Sequence, residues 1–133
     1  MIIAQITDFH VSLPGEHMDE MFRTSSFLET AVKHICSLEP APDVVLATGD
    51  LVDNATPEEY QRLRDILAPI DVPIYVIPGN HDDRSEIRNA FGNLGYLPTG
   101  GKFLHYVIDQ WPVRLIALDT VIPGKIIGGL CAE

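Results

Sequence analysis

Three short polar clusters hold the residues of this chain whose types and spacing could do chemistry: Asp8 with His10, Asp50, and Asn80 with His81. Carboxylates and an amide oxygen are hard ligands, and imidazole nitrogen suits transition metals, so the set is one that would hold divalent cations. A carboxylate has two oxygens and can bridge two ions; Asp50, in the middle cluster, is the best placed for that role. Gly49 and Gly79 directly precede two of the clusters and permit tight turns at a metal edge. Each piece alone is weak, because Asp-x-His also describes a loop carboxylate beside a surface histidine, and Gly-Asp or Gly-Asn-His-Asp also describes a polar turn. Their combination points to a metal site.

The elements that must position these residues are legible. The apolar run 2–6 predicts a buried strand. Met21, Leu28, Val32 and Ile35 recur at helical spacing and predict a helix over 20–38, stopped by Pro40 and Pro42. Residues 43–47 predict a second strand, which runs into Thr48-Gly49-Asp50. Thr56 as cap, Pro57 at the first helical position and Glu59 as partner of a capping box begin a second helix, with Tyr60, Leu63 and Leu67 facing the core and Pro69 ending it. A third strand over 72–77, a short helix over 83–91 and two strands over 103–108 and 113–118, turning near 110–112, complete the pattern. The order β-α-β-α-β implies an α/β fold with a mostly parallel sheet and right-handed crossovers. The three clusters all follow strands, and ligands of open parallel sheets bind beyond the carboxyl ends of the strands.

Composition narrows the function. The chain has 133 residues, enough for one modest domain, and 46% of them are apolar, enough for a core. A net charge of −10 argues against a nucleic-acid-binding surface. It leaves a phosphate substrate open, because bound cations reverse the field in an acidic cleft. Cys36 and Cys131 do not make a disulfide framework, and Cys36, inside an apolar helical pattern, reads as a small core residue. No signal peptide or membrane span is visible, so the expected location is the cytoplasm and no membrane partner is expected. Residues 128–133 follow a strand and a loop with no closing helix, which reads as a domain interrupted at its C-terminus.

Thr7–His10 (TDFH), Gly49–Asp50 (GD) and Gly79–Asp82 (GNHD) resemble the first three motifs of the calcineurin-like metallophosphoesterases. The stretches GDLVDNATPEEYQRLRDIL and VPIYVIPGNHDD resemble the cyclic-nucleotide phosphodiesterase and glycerophosphodiesterase branch, and the resemblance covers nearly the whole chain. It implies that residues 1–133 are the N-terminal half of an αββα sandwich. It implies that Asp8 and His10 bind one metal, Asp50 bridges two, Asn80 binds the second, and His81 lies near the leaving-group oxygen. Two divalent ions (manganese, iron, zinc or cobalt) would hold a hydroxide that attacks phosphorus in a small phosphodiester. A phosphomonoesterase or nuclease are the other enzymes this chemistry serves. The family's later histidine and Gly-His-x-His motif have no counterpart, since His105 is the one histidine after His81. The second site would keep only Asp50 and Asn80, so the chain is expected to hold as few as one ion, weakly. The alternative from another class is a catalytically inactive fragment that self-associates into a homo-oligomer through uncovered sheet faces.

Other polar residues have plainer readings. His17 and His34 read as surface residues, Asp53 and Asn54 as turn and cap residues, and Asp82 and Asp83 as supports of the site or the start of the short helix. Arg84 reads as a solvated helix-start residue, Asp119 as structural, and Trp111 as hairpin-corner packing.

Overall fold

In a computed structural model that describes residues 1–130, β1 (Ile3–Ile6), β2 (Val44–Thr48) and β3 (Ile74–Ile77) form a parallel sheet in that order. Ile3 lies beside Val44 and Ile6 beside Ala47; Val45 lies beside Ile74 and Thr48 beside Ile77. All three carboxyl ends therefore open on one edge. Helix α1 (Thr24–Cys36) connects β1 to β2, α2 (Pro57–Leu67) connects β2 to β3, and α3 (Arg84–Phe91) follows β3. An antiparallel hairpin of β4 (Tyr106–Ile108) and β5 (Leu115–Ala117) pairs Tyr106 with Ala117. The expected α/β class and parallel crossovers are thus present.

Side chains alternate across a strand, and the two faces of this sheet are covered differently. Val45, Ala47 and Val76 pack with Leu28, Val32, Leu63 and Ile87 under the helices. Val44 and Tyr75 pack on the other face against Ile108 of the hairpin, with half-buried Trp111 alongside. The free edge of β3 is closed by side chains: Val76 N–H donates to the Tyr96 hydroxyl (3.1 Å), and the Tyr106 hydroxyl donates to Val76 O (2.7 Å). Burial pushes the pKa of both hydroxyls up, so they stay neutral in this role.

Local chemistry explains where expectation and structure agree. At the start of α2 the Thr56 hydroxyl accepts from Glu59 N–H (3.3 Å) and the Glu59 carboxylate accepts from Thr56 N–H (3.0 Å), the reciprocal box its sequence predicts. Tyr60, Leu63 and Leu67 are buried as expected. The helix expected over 20–38 is instead broken at Arg23, whose φ of 54° is left-handed. A separate wide turn, Met18–Phe22, precedes the break, and Met21 is 66% exposed rather than in the core. Cys36 is also exposed; it is the last residue of α1, and Ile35 takes the inward position beside it. Cys131 lies outside the described residues. The strand expected over 103–108 shortens to Tyr106–Ile108, because Leu104 N–H goes to the Asp119 side chain (2.9 Å) instead of to a neighbouring strand. No helix among the described residues is long and apolar enough to cross a membrane.

Candidate metal centre

The loops leaving the three strands are tied to one another by backbone. Asp8 N–H donates to Gly49 O (3.1 Å), His10 N–H to Asp50 O (2.9 Å), Val11 N–H to Leu51 O (3.2 Å) and Gly49 N–H to Ile77 O (2.9 Å). Among the described residues five non-glycine positions have positive φ, and Asp8 (56°), His10 (42°) and Asp50 (47°) are three of them. A side chain held in that region costs roughly 1–3 kcal/mol and persists where its surroundings enforce it, commonly at functional sites. Gly79 shows what enforces it here: a Cβ at that position would collide with the backbone nitrogen and carboxylate of Asp50, so only glycine lets the β3 loop come this close.

The expected residues meet along this edge. Asp8, His10 and Asp50 each offer a ligand atom, and the three atoms lie within 4.8 Å of one another. His10 Nε2 is 3.6 Å from Asp50 Oδ2, within the roughly 4 Å that can separate two atoms each about 2.1 Å from one ion. Asn80 lines the same cleft as Asp8 and Asp50. His81 donates its backbone N–H to Asp50 Oδ1 (3.1 Å), and its ring meets that of His10 edge to face, with centroids 4.6 Å apart. Asp50 pairs with His10 and Asp53 with His10 and His81, and among the described residues no lysine or arginine pairs with Asp8, Asp50 or Asp53. Converging carboxylates without a cationic side chain suit a divalent ion, and the donor set fits one.

Asp53 belongs to this edge, beyond the turn role expected of it. Its Oδ1 is 3.5 Å from His10 Nδ1 and 3.5 Å from His81 Nδ1, and its backbone oxygen is 2.8 Å from His81 Nδ1. A carbonyl oxygen only accepts, so His81 Nδ1 carries the proton of that bond and Nε2 is left for other chemistry. His10 Nδ1 is buried and has no hydrogen-bond partner among the described residues, with the same carboxylate 3.5 Å away. The signal in the sequence was a second acid three residues after Asp50 on one short loop. Asn54 does act in the cap: its N–H and side-chain amide donate to buried Glu59 at 3.0 and 3.1 Å.

Asp82 clamps the two loops that carry Asp50 and Asn80. Its Oδ2 accepts from Leu51 N–H (3.1 Å) and Gly79 N–H (2.8 Å), and its Oδ1 from the Tyr60 hydroxyl (3.0 Å), which in turn accepts from Asp83 N–H (3.1 Å). Removal from water raises the Asp82 pKa against the lowering effect of those N–H donors, and burial beside Asp82 raises that of Tyr60. Asp83 caps α3 by accepting from Ser85 and Glu86 N–H.

The far side of the cleft, whose volume is about 320 Å³, is formed by Thr120, Val121 and Ile126–Gly128. Its anchor corrects the reading of Arg84 as solvated. Arg84 Nε and Nη2 donate to buried Asp119 at 2.6 and 2.8 Å, and Nη2 also to Val121 O at 2.7 Å. Leu104 N–H (2.9 Å) and Val121 N–H (3.1 Å) complete the shell of Asp119. Burial alone would raise the Asp119 pKa, but the Arg84 bonds and these N–H groups outweigh it and hold the pKa below the ordinary carboxylate value; the same pairing raises that of Arg84. His105 serves this wall, with Nδ1 accepting from Asp119 N–H at 2.9 Å. His17 and His34 are exposed.

The chain is similar to proteins of known family. The family model for calcineurin-like phosphoesterases matches residues 1–127. A probable glycerophosphodiester phosphodiesterase of Arcobacter nitrofigilis is 38% identical over 133 residues, covering 100% of this chain and 48% of that protein. A glycerophosphodiester phosphodiesterase of Enterobacter lignolyticus is 31% identical, covering 98% of this chain and 47% of that protein. A 3′,5′-cyclic adenosine monophosphate phosphodiesterase of Pseudomonas aeruginosa is 28% identical, covering 98% and 45%. The chain spans about half the length of these relatives.

Proposed function

The chain belongs to the calcineurin-like phosphoesterase family, and from that premise we propose that it works as a metal-dependent phosphodiesterase on small phosphodiesters, with two divalent cations at the strand-end cleft. In this reading Asp8 and His10 would hold one ion, Asn80 the other, and Asp50 would serve both. Ions bound there would lower the pKa of water toward ~7 and neutralise charge on the phosphoryl oxygens. Manganese, iron, cobalt and zinc all suit the mixed oxygen and nitrogen donors. The names of the relatives bring glycerophosphodiesters and cyclic nucleotides as candidate substrates.

The residues of the chain do the rest. Asp53 orients His10 and His81 together, because its carboxylate stands 3.5 Å from both rings. With the Nδ1 proton of His81 held by the Asp53 carbonyl, Nε2 is the nitrogen that shares a proton with the departing alcohol oxygen. Asp82 holds the Leu51 and Gly79 loops at a fixed separation and so sets the distance between Asp50 and Asn80.

The observation that carries this reading is the convergence of Asp8, His10 and Asp50 within 4.8 Å, each in a left-handed conformation that the fold enforces. The test is Mn²⁺ binding by the 133-residue chain, followed by electron paramagnetic resonance, beside hydrolysis of a bis-aryl phosphodiester. We expect Mn²⁺ binding that Asp50→Ala weakens at least tenfold, together with Asp50-dependent turnover. Equal Mn²⁺ affinity in Asp50→Ala would sink the metal assignment.

A further inference from the structure

Ile126 and Ile127 line the same cleft as Asp8, Asp50 and Asn80, yet they are 88% and 61% exposed. Two adjacent apolar side chains in a cleft that two carboxylates also line make it amphipathic: the carboxylates suit cations and with them phosphate, the isoleucines an apolar group. The segment carrying them is built rather than loose. Val121 bridges to Gly128, Gly129 N–H donates to Thr120 O (2.8 Å), and Lys125 N–H donates to Ile122 O (3.0 Å) across the turn at Pro123-Gly124. Gly128 sits so close to Thr120 that a Cβ there would fall 2.9 Å from the hydroxyl oxygen. Asp119 and Val121 are fixed by Arg84, which begins α3 three residues after His81. The segment that carries Asn80 and His81 thus runs directly into the residue that holds this wall.

We propose that the Thr120–Gly128 hairpin is the specificity wall of the site, and that Ile126 and Ile127 receive an apolar ester group of the substrate. The site then prefers phosphodiesters bearing an aryl or alkyl group over those of polyhydroxylated alcohols such as glycerol. This rests on the reading of the floor as a site for metal ions and phosphate. Glycerol hydroxyls set against two isoleucines lose water without gaining partners, whereas an aromatic ring gains by the burial itself.

The test uses the Mn²⁺-loaded 133-residue chain and two monoesters with the same phosphate, phenyl phosphate and glycerol 3-phosphate, titrated by calorimetry. Phenyl phosphate should bind about tenfold tighter, the effect of burying roughly half the surface of a phenyl ring. The double variant Ile126→Ser/Ile127→Ser should bring the two ligands to within about threefold. Both residues are exposed, and unchanged Mn²⁺ affinity in the variant verifies that its floor is intact. Equal affinities in the unaltered chain, or a preference that survives the double variant, would overturn the wall and leave the metal site standing. Failure of the unaltered chain to bind Mn²⁺ would overturn the metal site and the wall together.

Discussion

On the floor of the cleft, half-buried Asp82 accepts from two backbone N–H groups and a tyrosine hydroxyl; on the wall, buried Asp119 accepts from both arms of Arg84 and two backbone N–H groups. The donor numbers are similar, yet the pKa of Asp82 is raised and that of Asp119 lowered. The difference is a cation. Neutral donors only partly offset the loss of water around a carboxylate, whereas a guanidinium fork reverses it. The wall neutralises its own charge within the fold. The floor gathers Asp8, Asp50, Asp53 and Asp82 with no lysine or arginine paired to Asp8, Asp50 or Asp53 among the described residues, and in the proposed reading its charge is balanced by a cation from solution.

The sharpest way to break this comparison is Asp119→Ala. It leaves Arg84 beside a cavity with its main partner gone, and the expected loss is about 3–5 kcal/mol in urea unfolding. Mn²⁺ affinity should change little, since no proposed ligand hangs on Asp119. The same carboxylate predicts a pH dependence. Its folded-state pKa lies below the unfolded value, so its stabilisation is fully present above about pH 4 and is lost as pH falls through the lowered value. Unfolding measured from about pH 6 down to about pH 2 should show an acid loss of stability that is smaller in Asp119→Asn.

Asp82→Ala should give the opposite profile. Leu51 N–H, Gly79 N–H and the Tyr60 hydroxyl lose a shared acceptor, which costs about 2–3 kcal/mol, less than the broken ion pair of the wall. The loops it spans carry Asp50 and Asn80, so Mn²⁺ affinity should fall about tenfold or more, as for other groups that orient metal ligands. If Asp82→Ala lowers stability without touching Mn²⁺ affinity, the clamp has no role in the site and the contrast between floor and wall disappears.

What could be read in the sequence was whatever is decided locally or by period. Thr56, Pro57 and Glu59 make their box within four residues, and Tyr60, Leu63 and Leu67 follow helical spacing, so α2 was legible almost to the residue. Asp8, His10, Asp50, Asn80 and His81 were legible as one edge because parallel strands bring their carboxyl ends together. Met21 failed because one left-handed residue, Arg23, turned it off the helical face, and arginine carries no signal for that conformation. Arg84 failed because its partner lies 35 residues away across the fold. Asp53 was visible as an acid near Asp50, but its place between two imidazoles depends on how three loops fold back on one another.

The smallest expected effect belongs to the wall and tests how far its charge is already neutralised. Arg84 Cζ lies 5.4 Å from the centroid of the Phe103 ring, and Lys102 Nζ lies 5.2 Å from it. A cation over an aromatic face contributes about 0.5–1 kcal/mol at a partly exposed site. Phe103→Leu keeps an apolar side chain and removes the ring, so it should cost no more than about 1 kcal/mol. Because Asp119 already accepts from both arms of Arg84, the attraction left for the ring is the weaker part of what holds the guanidinium in place. A loss in Phe103→Leu as large as that in Asp119→Ala would mean that ring packing, rather than the ion pair, anchors the hairpin, and the wall would then owe its position to the same kind of neutral contacts that hold the floor.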